Sequence, residues 1–266
     1  MKLAYLPLLI IILASCNANT SQETSVSVRD TAGVVPDTTT DHDAALPWSA
    51  ADTALLGFYE GVLPCKDCQG IRHTLLLKDS GRFKLEEFTL GRSTFPEKRQ
   101  GRWTRVGDSI RLMANQKLIL SYHIKKDSLK IGYQEGNPIP DSVSKNYMIA
   151  RVPDGGANIA WRKKKSAGVD FYAIGNEPFW NLEIDNERAI SFKVADLPKP
   201  LVFAMRPPRI TKDSTYYVVD SASSRLEVTV FNEFCSDGMS DNRYEYRVHV
   251  RYKGQTFKGC GADLEK

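Results

Sequence analysis

Between residues 58 and 151 the chain alternates apolar and polar side chains over short stretches, which is the pattern of strands with one buried face. The clearest run is Leu118-x-Leu120-x-Tyr122-x-Ile124, in which every second side chain points to the same side. Glycine-containing turn signals, such as Asp79-Ser80-Gly81, separate the runs. The predicted strands are 58–63, 74–78, 82–89, 98–105, 109–114, 117–126, 128–133 and 147–150. Many short strands with almost no helical periodicity favour a small antiparallel barrel or sandwich.

A second region of alternation extends from residue 170 to about residue 262. Its predicted strands are 171–174, 180–184, 189–194, 216–219, 226–231, 244–252 and 255–258. The break Pro153-Asp154-Gly155-Gly156 and the basic run 162–165 separate the two regions. We therefore predict an all-β protein with a barrel domain at 53–153, a basic linker at 154–169 and a second β-rich domain at 170–266.

The first 15 residues have the layout of a secretory signal: Lys2, an apolar run over residues 3–13, then small residues before Cys16. The apolar run is too short to span a bilayer, which needs roughly 20 residues. Leu13-Ala14-Ser15-Cys16 resembles the lipobox of bacterial lipoproteins, which implies cleavage before Cys16 and its modification with acyl chains such as palmitate. The anchor predicts attachment to a membrane of the cell envelope. Asn17 favours the outer membrane, facing the periplasm.

Residues 16–52 join this anchor to the first strand and are rich in Thr, Ser, Asp and Ala. Such a segment has too few large apolar residues to offset its ordering entropy, so we predict a lipidated, disordered tether. The whole chain of 266 residues is 42% hydrophobic and 26% charged, with a net charge of +4. This composition excludes collagen, coiled coil and polytopic membrane proteins.

Five cysteines are present, and Cys16 accounts for one of them. Of the remaining four cysteines, two form the C-x-x-C motif Cys65-Lys66-Asp67-Cys68, which is the most informative motif in the chain. In an oxidising compartment this spacing suits a disulfide that pins a turn, a redox pair, or two soft ligands for Cu(I). A thioredoxin-like role is disfavoured because the surroundings are strand and turn, and a closed zinc site would need four ligands.

Cys235 and Cys260 lie 25 positions apart, and we predict a disulfide between them, one partner in a loop and the other at a strand end. Closing a loop of that length contributes roughly 3 kcal/mol in the chain-entropy model. The intervening Asp237, Met239 and Asp241 are better explained as turn residues than as metal ligands.

The run Gly57-x-Tyr59-x-Gly61-Val62-Leu63-Pro64-Cys65-x-x-Cys68-x-Gly70-Ile71, with Gly81-x-Phe83 and Gly101-x-Trp103 after it, resembles the N-terminal domain of the NlpE family. That resemblance implies a small lipocalin-like β-barrel in an envelope lipoprotein tied to copper tolerance and stress signalling. It assigns the redox-responsive or copper-responsive role to Cys65 and Cys68. Gly175-Asn176-Glu177-Pro178-Phe179-Trp180 and the Cys235 loop instead resemble an uncharacterised β-rich domain of bacterial envelope proteins.

Four histidines are thinly spread, and no nucleophile–base, P-loop or dinucleotide motif is present, so we do not expect an enzyme. We predict a lipoprotein that acts in copper resistance and envelope-stress sensing through Cys65 and Cys68. No cofactor is assigned from the sequence, and Cu(I) is the one candidate. The predicted partners are the membrane and an envelope-stress sensor protein, and nucleic acid is not among them. The alternative hypothesis is a lipocalin-like carrier or adaptor for a lipid or small apolar ligand.

Overall fold

The computed structural model describes residues 49–153, 157–222, 224–239 and 241–264, which form two antiparallel β-sheets. The predicted signal segment, Cys16 and nearly all of the predicted tether lie outside these residues. None of the helices in the described ranges is both long enough and apolar enough to cross a bilayer. The prediction of an all-β fold is confirmed.

The first sheet closes on itself as an eight-stranded antiparallel barrel. Its strands are β1 (Gly57–Leu63), β2 (Ile71–Leu77), β3 (Arg82–Thr89), β4 (Glu97–Val106), β5 (Ser109–Ala114), β6 (Lys117–Lys125), β7 (Ser128–Gln134) and, after the two-residue β8 (Asn137–Pro138), β9 (Met148–Arg151). Neighbours in sequence pair from β1 to β7, and β9 then pairs with both β7 and β1. Closure leaves this barrel without an unpaired edge strand.

Apolar side chains fill the barrel, because every second residue of each strand points inward. Twelve of them are at most 1% exposed: Leu75, Leu77, Phe83, Leu85, Trp103, Ile110, Leu112, Leu120, Tyr122, Leu129, Ile131 and Ile149. The interior is therefore a packed core, which leaves the carrier hypothesis without support from the barrel.

Two short helices border the barrel, and the first begins where the predicted tether ends. In α1 (Ala50–Thr53), Ser49 and Asp52 form a capping box that satisfies the first backbone N–H groups. The helix leads into Leu55, whose carbonyl oxygen accepts a hydrogen bond of 3.0 Å from the Tyr59 hydroxyl. The second helix, α2 (Asp141–Ser144), lies between β8 and β9.

A third helix, α3 (Ala157–Ser166), occupies the stretch for which the sequence predicts a linker. Its Trp161 packs beside Val169, Ala262 and Leu264, so the helix is stabilised by contacts with distant residues. The lysines in its last turn interact favourably with the negative end of the helix dipole and so stabilise the helix. Local sequence pattern did not reveal this helix because its stability depends on those tertiary contacts.

The second sheet has nine antiparallel strands, and its two halves meet where β10 pairs with β18. The strands are β10 (Phe171–Asn176), β11 (Phe179–Asp185), β12 (Ala189–Val194), β13 (Leu201–Ala204), β14 (Arg209–Ile210), β15 (Ser214–Ser221), β16 (Ser224–Phe231), β17 (Tyr246–Tyr252) and β18 (Gln255–Asp263). No strand was predicted at β13 or β14, which are short strands next to prolines at the two edges of the sheet. Strand β18 also extends to Asp263, beyond the predicted end at residue 258.

Trp180 lies at the centre of the second core, and its ring packs against the backbone of Gly259. Its ring is fully buried and its Nε1 donates to the Lys258 carbonyl oxygen at 3.2 Å. A Cβ on Gly259 would lie 2.0 Å from the Ile174 carbonyl oxygen and 2.7 Å from the Trp180 ring. Phe179 is 53% exposed because it faces the opposite side of β11 from Trp180.

Replacing Gly259 with alanine should destabilise the second sheet, because the added methyl overlaps a backbone oxygen that cannot move without breaking the β10–β18 pairing. We expect a loss of about 3 kcal/mol in the free energy of unfolding, measured by chemical denaturation. The exposed neighbour Lys258→Ala is the matched control and should change stability by less than about 0.5 kcal/mol. Equal stabilities of the two variants would contradict the close packing at Gly259.

Candidate functional site: the C-x-x-C loop of the barrel

The predicted cysteine pair lies in the loop that joins β1 to β2 at one end of the barrel. The structure joins Cys65 and Cys68 by a disulfide, with 5.4 Å between their Cα atoms. Lys66 and Asp67 between them are exposed, and both cysteines are only partly buried. Solvent and small solutes can therefore reach this disulfide.

The loop is anchored at Gly70, directly before β2. Gly70 has φ +139°, and a Cβ there would lie 2.5 Å from the Val62 side chain. Only glycine fits this backbone conformation and this close approach. The Leu90 N–H, from the connection after β3, donates a hydrogen bond of 2.9 Å to the Gly70 carbonyl oxygen. The cysteine loop is thus held at its base by two neighbouring strands.

Metal binding by this loop would require reduction of the disulfide, because the thiolate is the ligand. Within the described ranges, no group of three or more His, Cys, Asp and Glu side chains is positioned to hold a metal ion. Two thiolates alone match the low coordination number and soft-ligand preference of Cu(I). The reduced loop is therefore suited to Cu(I) rather than to a closed zinc site.

His73, the histidine nearest to this motif in sequence, is fully buried inside the barrel. Its Nδ1 lies 2.8 Å from the Glu87 carboxylate, and its Nε2 lies 2.8 Å from the Tyr122 hydroxyl. Because an ionised carboxylate only accepts hydrogen bonds, we assign the proton to Nδ1, and Nε2 accepts from Tyr122. With both ring nitrogens occupied, His73 serves as a structural strand residue.

Glu87 continues this chain of contacts towards the end of the barrel. It forms an ion pair with Arg99, and Arg99 pairs in turn with Glu135, which is largely exposed. The neighbouring Glu86 faces outward, because adjacent residues of a strand point to opposite faces. Sequence reasoning missed Arg99 as a partner, because β4 places it beside Glu87 only after the strands pair.

Burial sets the protonation states in this network. It lowers the pKa of His73 from 6.5 to about 3, and the nearby Arg99 guanidinium acts in the same direction. Burial likewise raises the pKa of Tyr122 far above its ordinary value. His73 and Tyr122 are therefore both neutral at physiological pH. The Tyr122 hydroxyl donates a hydrogen bond to the His73 imidazole, and neither side chain carries a charge.

The structure also joins Cys235 and Cys260, with 5.6 Å between their Cα atoms. Cys235 lies in the long connection between β16 and β17, and Cys260 is buried within β18 rather than at a strand end. Asp237 accepts hydrogen bonds from the Met239 N–H and the Tyr244 hydroxyl, both at 3.1 Å. Asp237 is thus used in turn formation.

Together, the closed antiparallel barrel, its filled interior and its exposed cysteine loop define a small β-barrel domain whose reactive group lies in an end loop. Residues 59–142 match the family model of the NlpE N-terminal domain. This match confirms the resemblance to the NlpE N-terminal domain that the Tyr59-to-Ile71 motif indicated.

The curated relative is the lipoprotein NlpE of Escherichia coli strain K12, which is 36% identical over 93 residues. That match covers 34% of this chain and 39% of the relative, so the chain spans about two fifths of its length. Two solved structures are also similar. A putative lipoprotein from Shewanella oneidensis is 31% identical, with 36% of this chain and 87% of that chain covered and a TM-score of 0.31. The Cpx pathway activator NlpE from Escherichia coli is 19% identical, with 67% and 85% covered and a TM-score of 0.28.

The buried His73 should make the protein sensitive to acid. Between pH 6.5 and about 3 the unfolded chain carries a proton on His73 that the folded chain lacks, so stability falls as pH falls through this window. In His73→Gln, the slope of unfolding free energy against pH should become shallower by about 1.4 kcal/mol per unit, the value for one proton. Chemical denaturation at a series of pH values measures this slope.

The control for this experiment is His123→Gln, because His123 is an exposed histidine on β6. Comparing the two variants with the parent protein separates the effect of the buried histidine from the loss of a histidine as such. If His73→Gln keeps the parental slope, His73 is protonated in the folded barrel and the neutral assignment is wrong.

Proposed function

We propose that this chain is an envelope lipoprotein that senses stress and contributes to copper resistance through the Cys65–Cys68 pair. The observation that carries the proposal is an accessible disulfide in an end loop of an NlpE N-terminal domain. A reactive group in such a loop can change its redox or metal state without repacking the barrel core.

The relatives support the proposal through their printed names. One is called lipoprotein NlpE, and the solved structure is that of a Cpx pathway activator. We extend both descriptions to this chain as hypotheses: Cys16 carries the lipid, the folded part faces the periplasm from the outer membrane, and the partner is an envelope-stress sensor protein.

The energetics of the two disulfides support assigning the responsive role to Cys65–Cys68. The chain-entropy model gives a disulfide of this short separation about 2 kcal/mol of stabilisation, against roughly 3 kcal/mol for Cys235–Cys260. The first is also the more accessible, since Cys260 is only 1% exposed. Reduction of Cys65–Cys68 should therefore cost less folding free energy than reduction of the other pair.

Copper is the metal that suits the reduced loop, because Cu(I) accepts two soft thiolate ligands without a third donor. Lys66 and Asp67 lie between the two cysteines and are exposed, so neither blocks access to the sulfurs. Catalysis has no part in this proposal, which requires only binding or a redox change in the loop.

The copper role predicts that a Cys65→Ser/Cys68→Ser double variant loses high-affinity Cu(I) binding. Competition with a chromophoric Cu(I) chelator, using the reduced soluble chain without its lipid, should show at least about a hundredfold weaker affinity, because both thiolates are lost. The matched variant Cys235→Ser/Cys260→Ser removes the same number of thiols and should keep the parental affinity. Equal Cu(I) affinity in the parent and the Cys65/Cys68 variant would refute the copper role of this loop.

The sensing role predicts a change of the loop in living cells. Alkylation of free thiols, followed by mass spectrometry of the peptides, should find Cys65 and Cys68 oxidised in unstressed cells and increasingly alkylated after a mild reductant, which supplies the two electrons that open their disulfide. Cys235 and Cys260 serve as the internal control and should stay oxidised under the same mild treatment, because Cys260 is shielded. If the oxidation state of Cys65 and Cys68 never changes, the pair is a structural disulfide and the sensing role is wrong.

A further inference from the structure

Part of the outer surface of the barrel is covered although it faces away from the core. Register aligns Phe58, Leu76 and Lys84 in one row across β1, β2 and β3, and Glu60, Thr74 and Glu86 in the next. These six residues, with Lys78 and Lys98 at the border, are called the barrel face below. Thr74, Leu76 and Lys84 are only 6%, 8% and 9% exposed, so another part of the chain covers them.

The cover is the connection between β16 and β17, residues 232–245, referred to below as the docking connection. Glu245 is its most buried charge, and it contacts two lysines of the barrel face. The Lys78 ammonium lies 2.9 Å and the Lys84 ammonium 3.6 Å from its carboxylate oxygens. Lys84 also donates to the Glu245 carbonyl oxygen at 3.1 Å and lies 4.0 Å from the centre of the Tyr246 ring.

A second group of contacts repeats the pairing of charge with aromatic ring. Arg243 donates to the Glu60 carboxylate at 3.0 Å. The Phe234 N–H donates to Glu86 at 2.9 Å, while the Phe234 ring packs edge-on against Phe58 with 5.1 Å between centres. At the border, Lys98 lies 3.5 Å from the Glu233 carboxylate.

These contacts have the character of an exchangeable interface. They are mostly ion pairs and charge-assisted hydrogen bonds, whose net contribution is small once desolvation is counted. Burial lowers the pKa of Lys84 to about 8 in spite of the opposing effect of Glu245, which reflects that desolvation. Interfaces between domains of one chain resemble transient interfaces when they are polar in this way.

The same boundary is open to solvent along one side. A solvent-open cleft of about 610 Å³ is lined by Phe58 and Leu76 of the barrel face and by Ala262 and Leu264 at the C-terminal end of the second sheet. Solvent therefore reaches the edge of the charged contact, which gives a competing segment a point of entry.

We propose that the barrel face is an interaction surface that the docking connection holds closed, and that an external protein segment of the same chemistry opens it by competition. The surface offers three lysines and two glutamates around an apolar strip. Its occupant is a segment with acidic side chains beside aromatic rings, the composition that Glu233-Phe234 and Tyr244-Glu245-Tyr246 present in this structure. The proposal does not depend on copper or on the redox state of Cys65 and Cys68.

Hydrogen–deuterium exchange on the lipid-free full chain tests the closed state. Arg243→Glu places two carboxylates against each other at Glu60, so exchange in peptides covering the docking connection should accelerate at least about tenfold. The swapped double variant Glu60→Arg/Arg243→Glu should restore slow exchange, because the ion pair is rebuilt in reverse. Arg225→Glu makes the same charge change on β16, beside Glu227 and away from the barrel face, and should have no effect on the docking connection.

A synthetic peptide with the sequence of residues 241–247 tests the competition. In Arg243→Glu the Glu60 carboxylate is still present, so the peptide's own arginine can pair with it. Nuclear magnetic resonance titration should show at least about fivefold tighter binding to this variant than to the parent, with shifts at β1–β3. A scrambled peptide is the control. Unchanged exchange in Arg243→Glu, or peptide binding that is equal in the two chains or lies elsewhere, would overturn the proposal.

Discussion

Closure of the barrel is the constraint on which the rest of this structure depends. Once β9 pairs with both β1 and β7, the strands have a sealed inside and a distinct outside, and each alternate residue is committed to one of them. Twelve nearly inaccessible apolar side chains then fill the interior. Any polar side chain on an inward position must find partners there, and any reactive group must lie in the end loops or on the outer surface.

The inward polar residues satisfy that requirement by forming one network. His73 lies between Glu87 and Tyr122, and Arg99 links Glu87 to the barrel end. A buried carboxylate without partners would be strongly destabilising, so the arginine and the neutral imidazole are needed together. This arrangement explains why a histidine close in sequence to the cysteine loop is not a ligand for that loop.

The two disulfides have different structural settings. Cys65–Cys68 closes a short, accessible loop at one end of the barrel. Cys235–Cys260 ties the docking connection to a buried position of β18. The same connection carries Phe234, Arg243 and Glu245 onto the barrel face. The second disulfide therefore lies at the base of the contact between the two sheets, while the first lies on a free end of the barrel.

Local pattern determined most of the strands, since period-two alternation and glycine turns depend only on neighbouring residues. It also determined the Tyr59-to-Ile71 motif, but it left Cys65 and Cys68 open between a disulfide, a redox pair and two ligands for Cu(I). Only the tertiary structure decided five features: strands β13 and β14, helix α3, the Glu87–Arg99 ion pair and the position of the docking connection. Each of these depends on residues far apart in the chain, as Lys84 and Glu245 are, and no local pattern records which distant surfaces meet once the barrel has closed.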